Sequence, residues 1–222
     1  MFPLENRVTV VCGHYGTGKT NLSINLALDC ARHGEDVTLV DLDVVNPYFR
    51  SADYAEVLTA NGVEVVGPNF ANTNLDTPSL PGAVRGVISG GSRVIVDVGG
   101  DDAGATALGV YSNTLRDVDP DVIYVINRYR SMTTHAEEAV EILGEIERTS
   151  RLKATCIANN SHLKQGTTEA TILESVGFAD DVSSITGLPL RFTTVPRPLD
   201  VNLLNKIPNI YPVDVHVRAP WE

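Results

Sequence analysis

Val8-Thr9-Val10-Val11-Cys12-Gly13-His14-Tyr15-Gly16-Thr17-Gly18-Lys19-Thr20 is the stretch on which the fold turns. Its first five residues are β-branched or apolar, as in a strand covered by helices on both faces. From Gly13 to Thr20 it matches G-x-x-x-x-G-K-[ST] without a gap. Lys19 to Ala31 is then apolar on more than one side (Leu22, Ile24, Leu26, Leu28), with Gly34 placed to end it, and reads as a largely buried helix. Strand, glycine loop and helix together form a phosphate cradle. The glycines let successive backbone N–H groups face a phosphate, and the helix adds its positive N-terminal end. Lys19 reaches the β- and γ-phosphates, and the Thr20 hydroxyl is a hard oxygen donor suited to Mg²⁺. The run Gly13, His14, Tyr15, Gly16, Thr17, Gly18, Lys19, Thr20, Asn21 is the candidate phosphate-binding segment.

Outward from this loop, short apolar runs alternate with longer helical stretches. The runs are Val37 to Asp43, Val63 to Val66, Arg93 to Val98, Asp121 to Asn127, Lys153 to Asn159 and Arg191 to Val195. Such alternation predicts βαβ units: an α/β fold of three layers, a mostly parallel sheet with helices on both faces. Thr133 to Thr149 is read as a helix, with a capping box from Thr134 to Glu137 and an apolar stripe of Ala136, Ala139, Val140, Leu143 and Ile146. Gly67 to Pro81, rich in Pro, Asn and Thr, and Pro208 to Glu222, with three prolines, fit neither pattern. The 222 residues are read as one nucleotide-binding domain spanning 1–222.

Two strands end in acids. Period two puts Asp41 and Asp43 on one face of the first, about 6 to 7 Å apart, at the carboxyl edge where open parallel sheets bind ligands. Arg93 to Val98 delivers Asp97 to the same edge, followed by Gly99 and Gly100. A carboxylate here can hold a Mg²⁺-bound water or orient an attacking water at a γ-phosphate. The glycines admit a backbone N–H to that phosphate, so Gly99 to Asp102 is a candidate nucleotide-sensing segment.

A formal net charge of -11 and a pI near 4.8 argue against nucleic acid as the main partner. Cys12, Cys30 and Cys156 form no CxxC pair, and no apolar run approaches the length of a membrane span, so a cytoplasmic protein with buried thiols is expected.

Loop, D-x-D strand end and D-x-G-G strand end, in that order, resemble the MinD/ParA branch of P-loop ATPases (the CobQ/CobB/MinD/ParA nucleotide-binding family), which includes nitrogenase iron protein and the metal-insertion ATPases. The resemblance implies an ATP/ADP- and Mg²⁺-binding ATPase and carries roles onto matching positions. Lys19 and Thr20 would bind phosphate and metal, with Asp43 orienting the hydrolytic water (Asp43 and Lys19 being the catalytic pair). Asp41 and Asp97 would support Mg²⁺. Asn159, then Asn160, would meet adenine, although turn-forming asparagines are the alternative reading; Pro196, Arg197 and Pro198 would wall the base. Guanine-specific relatives carry N-K-x-D after a strand. Here the strand from Asp121 ends in Asn127-Arg128-Tyr129-Arg130, without that acid, which favours ATP.

The family's second loop lysine is replaced by His14, mostly neutral at pH 7, which leaves a nucleotide-dependent homodimer open; Arg50 and Arg128 are alternative charge donors. No iron–sulfur cluster is expected from the cysteine spacing, and no membrane role from a tail without a basic amphipathic helix. Three functions follow. The first is an ATPase switch in which Asp43 to Ser51 and Gly99 to Asp102 order on ATP and engage an unidentified protein partner. The second is a phosphotransferase or ligase resembling dethiobiotin synthetase, with an acceptor pocket from Asn46 to Ser51 and Asn69 to Pro81. The third is a non-hydrolysing scaffold.

Overall fold

Residues 4–43, 50–67 and 79–217 are described by the computed structural model. Strand β1 (Val8–Cys12) is buried at every position, because its alternate side chains enter two separate cores. Val8, Val10 and Cys12 belong to one cluster and Val11 to the other. Strand β5 (Asp121–Ile126) divides likewise, Val122, Tyr124 and Ile126 against Ile123 and Val125. A strand with no solvent face has no polar alternation, hence its continuous apolar sequence.

Six further strands complete the sheet: β2 (Val37–Asp41), β3 (Val63–Val66), β4 (Arg93–Asp97), β6 (Cys156–Asn159), β7 (Leu190–Pro196) and β8 (Ile210–Val213). The order is β3-β2-β4-β1-β5-β6-β7-β8. Every pairing among the described residues is parallel. On one face lie helices α1 (Lys19–Arg32) and α2 (Ala55–Ala60), through Leu22, Leu26 and Leu58. On the other, α3 (Ser79–Ser89), α4 (Asp102–Val110), α5 (Ser112–Arg116), α6 (Ala136–Ser150) and α7 (Glu169–Thr186) contribute Val84, Leu108, Leu115, Leu143 and Phe178. The fold is thus the expected three-layer α/β arrangement. The chain runs from β1 to β2 on one side and later crosses from β4 to β5 on the other, so the winding reverses beside β1. That reversal opens a crevice at the carboxyl ends, where ligands of such sheets bind.

Several expected boundaries move. Strand β2 stops at Asp41 instead of Asp43, and β6 starts at Cys156 instead of Lys153. Helix α6 begins at Ala136, and Glu138 rather than Glu137 closes its first turn, accepting the amides of Thr134 (3.0 Å) and His135 (3.1 Å). The Ala139 and Leu143 stripe is buried as read. Helix α1 stops as expected: Gly34 takes φ 81° and donates to Ala31 O at 2.9 Å. Strand β8 was hidden by its proline. Pro212 lies opposite Val195 on an edge strand of the described sheet, where a missing N–H costs little.

Candidate functional site

The phosphate loop is shaped by close backbone approaches. Gly16 and Gly18 adopt φ 75° and 85°, a left-handed geometry that strains a side chain. A Cβ on Gly13 would lie 2.4 Å from Val125 O, and one on Gly18 2.4 Å from Asn160 Nδ2. Inside the loop, the Thr17 hydroxyl (2.9 Å) and Lys19 Nζ (3.0 Å) both donate to His14 O. Thr17 therefore spends its side chain within the loop. Lys19 is 7 % exposed. Burial lowers the pKa of its ammonium, opposed by Asp97, Asp43 and Asp101, so a buried cation waits at the loop with acids around it.

The acids take distinct positions. Asp41 and Asp97 face each other across β2 and β4 and are 0 % and 1 % exposed. Burial, then the charge of Asp97, pushes the Asp41 carboxyl up to about 7. Burial also raises Asp97, against hydrogen bonds from Ser51, Thr20 and Ser23 and the charge of Lys19. Ser23 Oγ donates to Asp97 Oδ1 (3.1 Å) and Ser51 Oγ to Oδ2 (2.8 Å). The Asp41 oxygens accept the amides of Asp43 (2.8 Å) and Ala52 (2.9 Å). The same-face pairing expected of Asp41 and Asp43 is therefore corrected. Strand geometry ends at Asp41, whose carboxylate ties down the chain on either side of 44–49, while Asp43 turns to line the cavity beside Gly99.

Gly100 packs on the loop: a Cβ there would lie 2.6 Å from Tyr15 Cα and 2.7 Å from Lys19 Nζ. Asp101 then caps α4 by accepting Gly104 N at 2.8 Å. The second acidic strand end and the phosphate loop are thus in contact, as the motif order implied.

A cavity of about 660 Å³ runs from this point along the strand ends. Tyr15, Gly16, Gly18, Lys19, Thr20, Asn21, Asp43 and Gly100 line it, and so do Asn160, Thr194 and Pro196. The priority given to Asn159 is reversed. Asn159 is fully buried, donating to Ser175 Oγ (2.9 Å) and accepting from Ser161 Oγ (2.7 Å). Asn160 reaches the cavity, its Nδ2 on Thr17 O (2.6 Å) and its Oδ1 accepting from Thr194 (2.5 Å). An asparagine amide has two N–H groups and two lone pairs, so half its capacity remains for a ligand. Pro196 lines the wall; Arg197 pairs with Asp214 (3.1 Å), and neither it nor Pro198 is among the described lining residues. His14 is half-buried and also outside that lining, its pKa lowered by burial and by Lys19.

Four features escaped the sequence. Arg130 Nε donates to Gly16 O at 2.7 Å, bracing the loop from within the cavity. His162 stands beside Gly18 with its pKa held down to about 4 by burial and by Arg130 and Lys164. Lys164 also lines the cavity, as do Val213, Val215 and Val217 from the tail. The lone signal was the NRYR segment, read for an acid it lacks rather than for the arginine it carries. Arg50 and Arg128 go elsewhere: Arg50 pairs with Asp53 (3.7 Å), and Arg128 donates to Glu174 O.

Residues 44–49 and 68–78 lie outside the described residues. With them go most of the expected acceptor pocket (Asn46 to Ser51, Asn69 to Pro81) and the middle of the expected Asp43 to Ser51 switch. Among the described residues no helix is long and apolar enough to cross a membrane. Cys12, Cys30 and Cys156 are buried thiols.

No curated protein matches the chain. Among solved structures, the signal recognition particle 54 kDa protein of Aeropyrum pernix in complex with GDP is similar at 22 % identity and TM-score 0.55, over 84 % of this chain and 40 % of that one. The cell division protein FtsY of Thermotoga maritima is similar at 20 % identity and TM-score 0.55, over 87 % and 63 %. FtsY of Mycoplasma mycoides gives 16 % and 0.57, over 84 % and 58 %. At these identities the likeness is one of fold, and the chain spans less than two thirds of each of these proteins. The family profile of the CobQ/CobB/MinD/ParA nucleotide binding domain matches residues 8–161, from the start of β1 to the loop after β6. On that match, over a strand, loop and helix built to cradle phosphate, the chain belongs to the CobQ/CobB/MinD/ParA nucleotide-binding family.

Proposed function

We propose that this chain binds ATP with Mg²⁺, hydrolyses it slowly and acts as a nucleotide-controlled switch in the cytoplasm. One observation carries the reading: the buried Lys19 of the glycine loop has two acids beside it, Asp97 at the end of β4 and Asp43 just past the end of β2, and Lys19 and Asp43 line one cavity.

The donor set suits Mg²⁺. Among the described residues no group of three or more His, Cys, Asp or Glu is placed to hold a metal, and Mg²⁺ in nucleotide sites needs one or two protein oxygens besides phosphate and water. Thr20 and Asp43 would hold it, Asp97 acting through a water. When bound, the ion neutralises charge on the β- and γ-phosphate oxygens. The loop N–H groups and Lys19 Nζ hold the same phosphates, Lys19 exchanging its bond to His14 O for a phosphate oxygen. Asp43 orients the attacking water, and Gly100, packed against Tyr15 of the loop, would bring its backbone N–H to the γ-phosphate. Ser51 and Ala52 hang on Asp97 and Asp41, so a rearrangement of those carboxylates on nucleotide binding passes to Ser51 and Ala52 and on to a protein partner.

Adenine is favoured over guanine because Asp43, beside Gly99, is the one acid among the described lining residues; taken up with metal and water, it leaves none to pair with a guanine amino edge. Calorimetry with ATP and MgCl₂ tests the reading. Wild-type protein binds, Lys19→Ala does not, and Asp43→Asn binds while its single-turnover hydrolysis falls by about 10² or more. Equal titration of Lys19→Ala and wild type, or GTP preferred to ATP, would refute it.

A further inference from the structure

Asn21 and Asn25 lie one turn apart on α1, and both spend their side chains on a segment nearly two hundred residues away. Asn25, 2 % exposed, donates from Nδ2 to Asp214 O (2.9 Å) and accepts Asp214 N on Oδ1 (2.8 Å). Asn21 donates to the same carbonyl (2.9 Å), and its Oδ1 accepts His216 N (2.8 Å) and Val217 N (3.2 Å). Asn25 is itself braced by a bond to Asn21 O (2.8 Å). Each asparagine offers a donor and an acceptor, as a neighbouring strand would, so residues past the end of β8 keep their backbone groups paired where the sheet no longer pairs them.

Val213, Val215 and Val217 line the cavity, beginning at Pro196, which lies opposite Val213 in the sheet. Asp214 pairs with Arg197 outside it. Val215 is 56 % exposed, an apolar side chain on the cavity wall. Asn21 directly follows Thr20, so a single turn of α1 carries the phosphate-binding groups and the anchor of this wall.

We propose that Asp214–Val217 is the wall of the nucleotide site against which the flat apolar face of the purine lies, and that Asn21 and Asn25 are the positioning residues that hold it there. This rests on the nucleotide reading above. A purine ring suits the place because its π-face needs apolar contact while its edge needs a polar partner such as the Asn160 amide, which lines the same cavity.

Calorimetric titration with ATP and with inorganic tripolyphosphate, each with MgCl₂, separates base from phosphate. Val215→Ser, at an exposed position that the fold does not need, is expected to weaken ATP about five- to tenfold through lost apolar contact and to leave tripolyphosphate within twofold. Asn25→Ala, checked by thermal melting, is expected to weaken ATP more than tenfold with tripolyphosphate again within twofold. Wild-type affinity for ATP in Val215→Ser, or equal loss of both ligands in the two variants, would overturn the wall. Wild-type protein that binds tripolyphosphate as tightly as ATP would overturn it too, while leaving the phosphate site standing. Binding of neither ligand would remove the nucleotide reading itself.

Discussion

Replacing Asp41 by Asn should destabilise the nucleotide-free protein at low pH and cease to do so at neutral pH. Asp41 is fully buried opposite Asp97, and burial with the neighbouring charge raises its pKa from an ordinary 3.8 to about 7. A raised pKa means that the folded state holds a proton that the unfolded chain has released. The favourable contribution is complete below about pH 4 and is lost as pH rises to about 7, a total of about 4 kcal/mol. Asparagine never ionises and escapes that loss. It keeps one acceptor oxygen where Asp41 uses two, for Asp43 N and Ala52 N, and leaving one amide unpaired costs about 1 to 3 kcal/mol. Asp41→Asn should therefore be less stable than wild type by about 1 to 3 kcal/mol at pH 4.5. By pH 7.5 it should have gained about 3 kcal/mol relative to wild type, reaching equality or better. Urea unfolding at the two pH values with EDTA present reads this as a relative shift of about 1 M in midpoint for a chain of this size. A difference between the two proteins that stays constant with pH, or grows in favour of wild type as pH rises, would refute the claim that the acid pair is held at a cost.

Other outcomes follow from the same contacts. Arg130→Ala removes the donor on Gly16 O and a charge at the cavity, and is expected to weaken ATP binding about tenfold, about 1.4 kcal/mol, in a titration; an unchanged affinity would take Arg130 out of the site. Asn159→Ala should lower stability by about 2 kcal/mol through its lost bonds to Ser175 and Ser161, whereas Asn160→Ala should weaken nucleotide binding more than it lowers the melting temperature; identical profiles would erase the distinction drawn between them. Gly104→Ala places a Cβ 2.3 Å from Gly99 O and should cost about 2 kcal/mol or more, read as a drop in melting temperature. Self-association through His14 in the presence of ATP should strengthen only below pH 6.5, because burial and Lys19 hold the proton off that imidazole; equal sedimentation across a series from pH 8 to pH 5 would exclude His14 from the contact.

The sequence by itself determined the three layers and the place of the phosphate loop. Both rest on local signals: apolar runs with no polar alternation, glycines at fixed spacing, and a lysine and threonine at the start of a helix. The two acidic strand ends were legible for the same reason, since a strand of known direction delivers its last residue to a known edge. Period two nevertheless misplaced Asp43, because the strand stops where the Asp41 side chain begins to accept amides, and that depends on where residue 52 returns. Tertiary structure alone decided which of Asn159 and Asn160 reaches the cavity, because the choice turns on Ser175 in α7 and Thr194 in β7, long-range partners that no local pattern encodes. It also recruited the proline-bearing tail as strand β8 and a cavity wall, since an edge strand tolerates Pro212 and its continuation is held by two asparagines of the phosphate-binding helix rather than by a sequence signature of its own.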